Sequence, residues 1–297
     1  MKSFKNNNLF KIVVNSDWKL LDFLFSRISN FPKCKIKSML RHKQILVNGF
    51  PITQFDYSLN KGDEVLAIKK SYKEDNFSDK KLPFDILYED EDFIVVNKPS
   101  SLLSVSSDKE TKKTVYYFLN QYVSNKNRKK RIYIVHRLDE GASGVLFFVK
   151  NFSLKNAFQK NWNNLVKKRN YYVVVDGKMA KKEDLLVNFL KKNKLNLVYV
   201  TDDKFNGKKA ITHYKVIKEN KKFSLLDVSI KTGRQNQIRV QLGNIGHYVL
   251  GDNKYGKPKN PIHRLALHAY LLEFIHPFTK KKFCFKSPIP KIFSKLF

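Results

Sequence analysis

The chain has 297 residues, with 58 Lys and Arg against 26 Asp and Glu, a net charge of +32 and an isoelectric point near 9.9. Apolar residues make up 42% and aromatic residues 13%, enough to fill a large core, which excludes wholesale disorder. No apolar run approaches the ~18 residues that span a bilayer and none stands behind the polar N-terminus, so the sequence reads as neither membrane-spanning nor secreted.

Cys34 and Cys284 are far apart and lack ligand-like spacing. This argues against a disulfide framework or a zinc site and fits a reducing cytoplasm. The positive charge is not a tail: residues 1–80 carry 15 basic and 8 acidic side chains, residues 81–297 carry 43 and 18. A one-signed field over a whole folded surface suits a polyanion, and nucleic acid is the leading partner. A lysine-rich composition, with Asn, Ile and Phe also abundant, is the competing source of the excess.

In chain order, Asp17 to Ile28 sets Trp18, Leu20, Leu21, Leu24, Phe25 and Ile28 at near-helical spacing behind Asp17 as a candidate N-cap. Lys35 to Arg41 forms a second amphipathic helix with a cationic polar face that includes Lys37 and Arg41. Ile45-Leu46-Val47 runs as a strand into Asn48-Gly49, a type I′ turn signal, and Lys61 to Ile68 adds a further turn and strand. Residues 1–70 thus read as a small α/β module and 71–83 as a polar linker. The remainder, 84–297, reads as a larger domain.

In that larger domain Phe93 to Val96 is a buried strand halted at Pro99. Val145–Val149, Tyr171–Val175 and Phe223–Ile230 are further strands, rich in β-branched and aromatic residues. Helices are expected over Thr114–Tyr122, Asn156–Val166 and Gln235–Leu242. The lysine-dense runs Asn125–Arg131 and Lys178–Asn196 read as solvated loops or helix faces. The fold class is α+β: a mixed, mainly antiparallel sheet flanked by helices and loops, preceded by the small module.

Chemistry concentrates in Tyr133 to Leu146, where an apolar strand meets His136-Arg137-Leu138-Asp139 and two glycines lead into another strand. Such a turn fixes Asp139 between rigid elements and leaves room for a ligand. By itself an Asp beside Arg137 at a strand end is more often a structural ion pair or a cap than a reactive group. The isolated His42, His213 and His263 have no ligand grouping, so no metal is expected.

The stretch His136–Gly144, HRLDEGASG, resembles the HRLDxxTSG motif of the RluA-type pseudouridine synthases. Arg169 to Gly177, Ile230 to Gly256 (IKTGRQNQIRVQLGNIGHYVLGDNKYG), Arg264 to Ala269 and His276-Pro277 match later family segments in order. Asn97-Lys98-Pro99 matches an earlier one, and residues 17–68 resemble the alpha-L RNA-binding domain that many members carry in front. The resemblance implies an isomerase that converts uridine to pseudouridine without a cofactor. Large-subunit ribosomal RNA is the expected substrate and transfer RNA the second; neither a membrane nor an obligate protein partner is implied.

By the same resemblance, Asp139 is the catalytic carboxylate, Arg239 its ion partner that keeps it ionised, and Tyr171 the ring against the extruded uracil. Alternation along the strand lets only one of Tyr171 and Tyr172 face a cleft. His136, Arg137, Arg169, Arg234 and Gln237, with Lys37 and Arg41 of the front module, are expected to bind RNA. Ala142, Asn236, Gln241 and Tyr248-Val249 depart from the family pattern and are expected to stand behind the reacting groups. Two rivals remain at this stage: an RNA-binding assembly factor without activity, and a glycosidase, which usually needs two facing carboxylates.

Overall fold

The computed structural model describes residues 8–69, 82–106, 113–126, 131–256 and 260–297. The chain divides into two compact units, 1–80 and 81–297.

In the first unit, β1 (Asn8–Val13), β2 (Trp18–Lys19), α1 (Leu20–Arg27), α2 (Lys33–Arg41), β3 (Ile45–Val47), β4 (Phe50–Pro51), β5 (Ser58–Leu59) and β6 (Glu64–Ile68) follow in order. A sheet of order β1-β6-β3-β4 packs with the two helices around Leu20, Phe23, Leu24, Ile36, Met39, Leu40, Ile45 and Val65. Asn48 and Gly49 both take positive φ, 52° and 85°, as a type I′ turn requires.

Three sequence expectations change here. The first helix starts at Leu20 because Trp18 and Lys19 pair with Leu59 and Ser58. Asp17 is therefore not its cap, and its carboxylate accepts the Lys61 amide instead. The strand β1 was not foreseen; its partner β6 supplies the pairing that its weak pattern did not announce. Lys37 and Arg41 lie exposed on α2. Almost all of the linker reading, 71–83, lies outside the described residues.

The second unit contains β7 (Asp85–Glu89), β8 (Phe93–Lys98), α3 (Val115–Lys126), β9 (Tyr133–Ile134), β10 (Ser143–Val149), α4 (Phe152–Leu165) and β11 (Val166–Asp176). After these come β12 (Glu183–Lys192), β13 (Val198–Thr201), β14 (Lys208–Glu219), β15 (Phe223–Ile230), α5 (Gln237–Asn244), β16 (Leu267–Ile275), β17 (Lys282–Lys286) and α6 (Lys291–Ser294). The sheet runs β13-β12-β14-β15-β11-β16-β10-β8-β7, with β17 added to β16 and β9 to β10. Its pairings are antiparallel except β10 with β16. No helix among the described residues is long and apolar enough to cross a membrane.

Packing explains the boundaries that sequence spacing misplaced. The helix expected from Asn156 begins at Phe152, because the Asn151 side chain accepts the Leu154 amide as its cap. It ends before Val166, where the chain turns into β11. The lysine-dense run 178–196 is largely the strand β12, not a loop or helix face: its lysines lie before the strand and at its end, and within it Leu186 and Leu190 are buried while Leu185 and Val187 are exposed. The other run, 125–131, lies mostly outside the described residues. Under α4, Phe93, Phe147, Phe158, Phe274 and Phe283 form an aromatic core in which Phe147 and Phe274 stack at 4.6 Å.

The parallel step has a strict local demand. Gly144 pairs with Lys98 on one side and Ala269 on the other. Its φ is +112°, and a Cβ there would sit 2.1 Å from the Ala269 carbonyl oxygen. A side chain thus meets both a disfavoured backbone and an immovable neighbour. Gly144→Ala is expected to lower stability by at least about 2 kcal/mol, measured by chemical denaturation; an unchanged midpoint would refute this tight juncture.

Candidate active site

Asp139 sits on a turn fixed along its length. The Ala142 amide donates to the Asp139 carbonyl at 3.1 Å, and Gly141 takes φ +79°, the left-handed third position of a type II turn. Before the turn, the Leu138 amide donates to Ser104 Oγ, which in turn donates to the Leu138 carbonyl, both at 3.0 Å. After it, the fully buried Lys98 ammonium donates to the carbonyls of Ala142 and Leu102, each at 2.6 Å, and of Pro99 at 3.0 Å. Arg264 donates to Ser143 Oγ at 2.6 Å, leaving the Ser143 hydroxyl proton for His268 Nδ1 at 2.8 Å. The Asp139 carboxylate is thereby carried on a short rigid span.

In the sequence Lys98 stands out only as part of the Asn97-Lys98-Pro99 segment. Burial, together with the Arg264 charge, brings its pKa down to about 7 against the pull of Asp139 and Glu140. The same burial takes His268 to about 4, so its ring is neutral.

Asp139 lies on the wall of a cavity of about 440 Å³ with Tyr171, Trp162, Ile230, Ile238 and Leu267. Its side chain is 25% exposed, so it is accessible from the cavity. Arg137, Arg169 and Arg234 also line the cavity. This is a space of ligand size with one carboxylate, an aromatic and aliphatic lining, and cations.

Tyr171 faces this space, while Tyr172 stacks on Tyr270 at 3.9 Å, which places the two tyrosines on opposite faces of β11. Burial, moderated by Arg169, raises the Tyr171 phenol to about 12. It is a neutral hydrogen-bond donor at ordinary pH.

Arg239 stands behind the carboxylate in the first turn of α5. Its Nη1 is 3.6 Å from Asp139 Oδ2, but its close partner is Asp252: Nε and Nη2 donate to the two Asp252 oxygens at 2.7 and 2.6 Å. Burial raises Asp252, yet the Arg239 bonds and charge and the Tyr255 and Lys254 amides outweigh it, so its carboxyl lies below the usual range. Arg239 Nη1 also donates to Asn236 Oδ1 at 3.1 Å, and the guanidinium lies over the Tyr255 ring.

The net direction at Asp139 corrects the sequence expectation. Burial pushes its carboxyl up; Arg239 and Arg137 pull it down, and Asp252 pushes it up again, leaving it above the ordinary value. The guanidinium is shared, so it offsets only part of the desolvation.

The other residues chosen from sequence fare differently. His136 lines the cavity, but its Nε2 accepts the Phe147 amide, and burial, aided by Arg169, takes its pKa down to about 3. It presents a neutral ring packed on Phe147 and Trp162. Arg169 donates to the Lys231 carbonyl and lies over Trp162, and Arg234 donates to the Lys209 carbonyl.

Gln237 lines the cavity, but its side-chain amide is engaged within the protein. Its oxygen accepts from Thr232 and the Arg234 amide, and its nitrogen donates to Ile211 and Thr212. Lys37 and Arg41 belong to the first unit.

The departures from the family pattern resolve similarly. Asn236 touches Arg239 directly and bonds Tyr255. Gln241 is buried and ties α5 to Thr212, Leu186, Asn188 and Ala210. The Ala142 carbonyl holds Lys98.

Asp252 is the partner that sequence reading missed. The available signal was Gly251-Asp252 ahead of Tyr255. A Cβ on Gly251 would lie 2.0 Å from the Arg264 carbonyl oxygen, and an acid that accepts the second and third following amides builds a local turn.

The family model for RNA pseudouridylate synthase matches residues 92–244, the span that holds Asp139, Tyr171 and Arg239. The chain belongs to this family and is an RNA pseudouridine synthase, an isomerase. It is 34% identical over 259 residues to the uncharacterized RNA pseudouridine synthase YjbO of Bacillus subtilis (strain 168), covering 84% of this chain and 88% of that one. It is 30% identical over 312 residues to ribosomal large subunit pseudouridine synthase C of Buchnera aphidicola subsp. Schizaphis graminum, covering 98% and 97%. In fold it is similar to human RNA pseudouridylate synthase domain containing 4, with a TM-score of 0.57 at 18% identity over 70% of this chain and 90% of that one.

Because the folded chain holds the Asp139 proton more tightly than the unfolded chain, its stability falls as pH rises from about 4 through the Asp139 value. Asp139→Asn removes that cost. The variant is expected to be more stable than the parent at neutral pH and to converge with it in acid, as read by urea denaturation across pH. A variant less stable at neutral pH would contradict the direction.

Proposed function

We propose that this enzyme isomerises uridine in large-subunit ribosomal RNA in the cytoplasm, with Asp139 as its catalytic carboxylate. The observation that carries the residue assignment is the convergence of Asp139 and Tyr171 on one cavity with Arg239 behind the carboxylate. The ribosomal target is supported by relatives that carry that substrate in their names, such as ribosomal large subunit pseudouridine synthase D of Neisseria meningitidis serogroup B, 29% identical over 287 residues.

The reaction breaks the bond from uracil N1 to the sugar, turns the base, and forms a bond from C5. The C5 proton is lost and N1 gains one, so atoms balance without an external reactant. Three roles are open to the carboxylate: attack on the uracil ring, attack on the sugar carbon, or removal of a sugar proton. Each begins from the ionised form, and Arg239 stabilises that form. Tyr171 stacks on the extruded base and offers its O–H as a donor. Arg137, Arg169 and Arg234 sit where the backbone of a flipped nucleotide would carry its negative charge.

The first unit serves, in this reading, as an alpha-L type RNA-binding domain spanning residues 1–70, with Lys37 and Arg41 on phosphates. Replacing both by Glu is expected to weaken RNA binding and to flatten the dependence of log Kd on log salt by roughly 1.5, at about 0.7–0.9 for each lost phosphate contact. An unchanged slope would remove that role.

The activity itself is tested by mapping pseudouridines at nucleotide resolution in total RNA from cells with the protein, without it, and with Asp139→Asn alone. One or more large-subunit sites are expected to vanish in the last two. Sites that persist with Asp139→Asn would overturn the catalytic assignment, and sites in transfer RNA only would overturn the target.

A further inference from the structure

The loop that joins β13 to β14, two strands that lie on either side of β12, carries a side chain that the reaction described above does not use. Phe205 in this loop is completely exposed. A single exposed apolar side chain is ordinary, but this one is displayed by a rigid turn. Asp203 Oδ1 accepts the amides of Phe205 and Asn206 at 3.2 and 3.0 Å, and its Oδ2 accepts from Asn206 Nδ2 at 2.9 Å and Lys191 Nζ at 3.0 Å. The Gly207 amide closes the turn on the Asp203 carbonyl at 2.8 Å. A Cβ on Gly207 would lie 2.6 Å from that carbonyl oxygen and 2.8 Å from Phe189, so the turn has no slack there.

Asn206, the residue after Phe205, lines a second cavity of about 560 Å³ together with Lys192, Lys208, Gly233 and Arg234. Gly233 and Arg234 also line the cavity that holds Asp139. The two spaces therefore meet at one loop. Lys192 and Lys208 are exposed, and neither pairs with a carboxylate among the described residues. A concave cationic surface with a fully exposed aromatic residue next in the chain to one of its lining residues is a combination that suits single-stranded nucleic acid: cations follow the phosphates, and a ring accepts any base face.

We propose that this second cavity and Phe205 hold the RNA strand adjoining the reacting uridine. Phosphates lie against Arg234, Lys208 and Lys192, and an unpaired neighbouring base stacks on Phe205. The inference rests on the reading that the first cavity receives the flipped uridine, and it adds a requirement: the RNA beside the target must be unpaired on one side.

The test is binding of a short oligouridylate to the full-length chain across a salt series, for the parent protein, Phe205→Ala, Phe205→Trp and the double variant Lys192→Ala/Lys208→Ala. Phe205→Ala is expected to weaken binding on the order of ten-fold with the salt slope kept, and Phe205→Trp to restore it. The double variant is expected to lose about 1.4 from the slope, at ~0.7 for each single-strand phosphate contact. Absence of binding by the parent, or parent-like binding and slope in Phe205→Ala and the double variant, would overturn the proposal. Conversion of ribosomal RNA by the parent is assayed separately; its loss with the binding contrasts intact would count against the enzymatic reading and leave the strand track standing.

Discussion

The site depends on one buried guanidinium that serves two carboxylates unequally. Arg239 gives two of its nitrogens to Asp252 and turns the third toward Asp139 at 3.6 Å. Asp252 fixes where the positive charge lies, and Asn236 and Tyr255 hold the remaining faces of the guanidinium. Asp139 therefore meets a charge already in place and is not locked into a two-bond pair with it. A tightly paired carboxylate would be ionised but occupied. Partial pairing leaves its oxygens accessible from the cavity, at the cost of a proton affinity raised by burial.

The remainder of the second unit keeps that geometry rigid. Ser104, Lys98, Arg264 and His268 bind the backbone or side chains on both sides of the Asp139 turn, and Gly144 lets β10 press between β8 and β16. Below, the phenylalanine core joins α4 to the same strands. Displacement of Asp139 would require breaking several buried hydrogen bonds at once. This is how a large antiparallel sheet, ordinary in its pairing, comes to aim a single side chain.

Much of this was legible in the sequence, and what was not has identifiable causes. The strands Val145–Val149 and Phe223–Ile230 announced themselves because they are apolar and β-branched or aromatic, and Asp139, Tyr171 and Arg239 were picked out because their flanking motifs are distinctive. The strand β12 was hidden because lysines crowd both of its ends and its exposed positions Leu185 and Val187 are apolar, which blurs the alternation of a half-buried strand. Asp252 and Lys98 were hidden because their importance lies in contacts with residues distant in the chain. Gln237 looked like a reader of RNA, but its amide turned out to be fully engaged by Thr212, Thr232 and neighbouring backbone. The direction of the Asp139 shift is a balance of burial against charge, and a sequence lists charges without revealing burial.

The most direct measurement of the central claim is the pH dependence of single-turnover uridine conversion by the parent protein. A carboxylate that works ionised while burial raises its proton affinity requires an acid limb: the rate should climb with pH through an apparent pKa above the roughly 3.9 of an ordinary aspartate. A rate already level at that ordinary value and flat above it would contradict the account, because Asp139 would then be ionised as readily as in water.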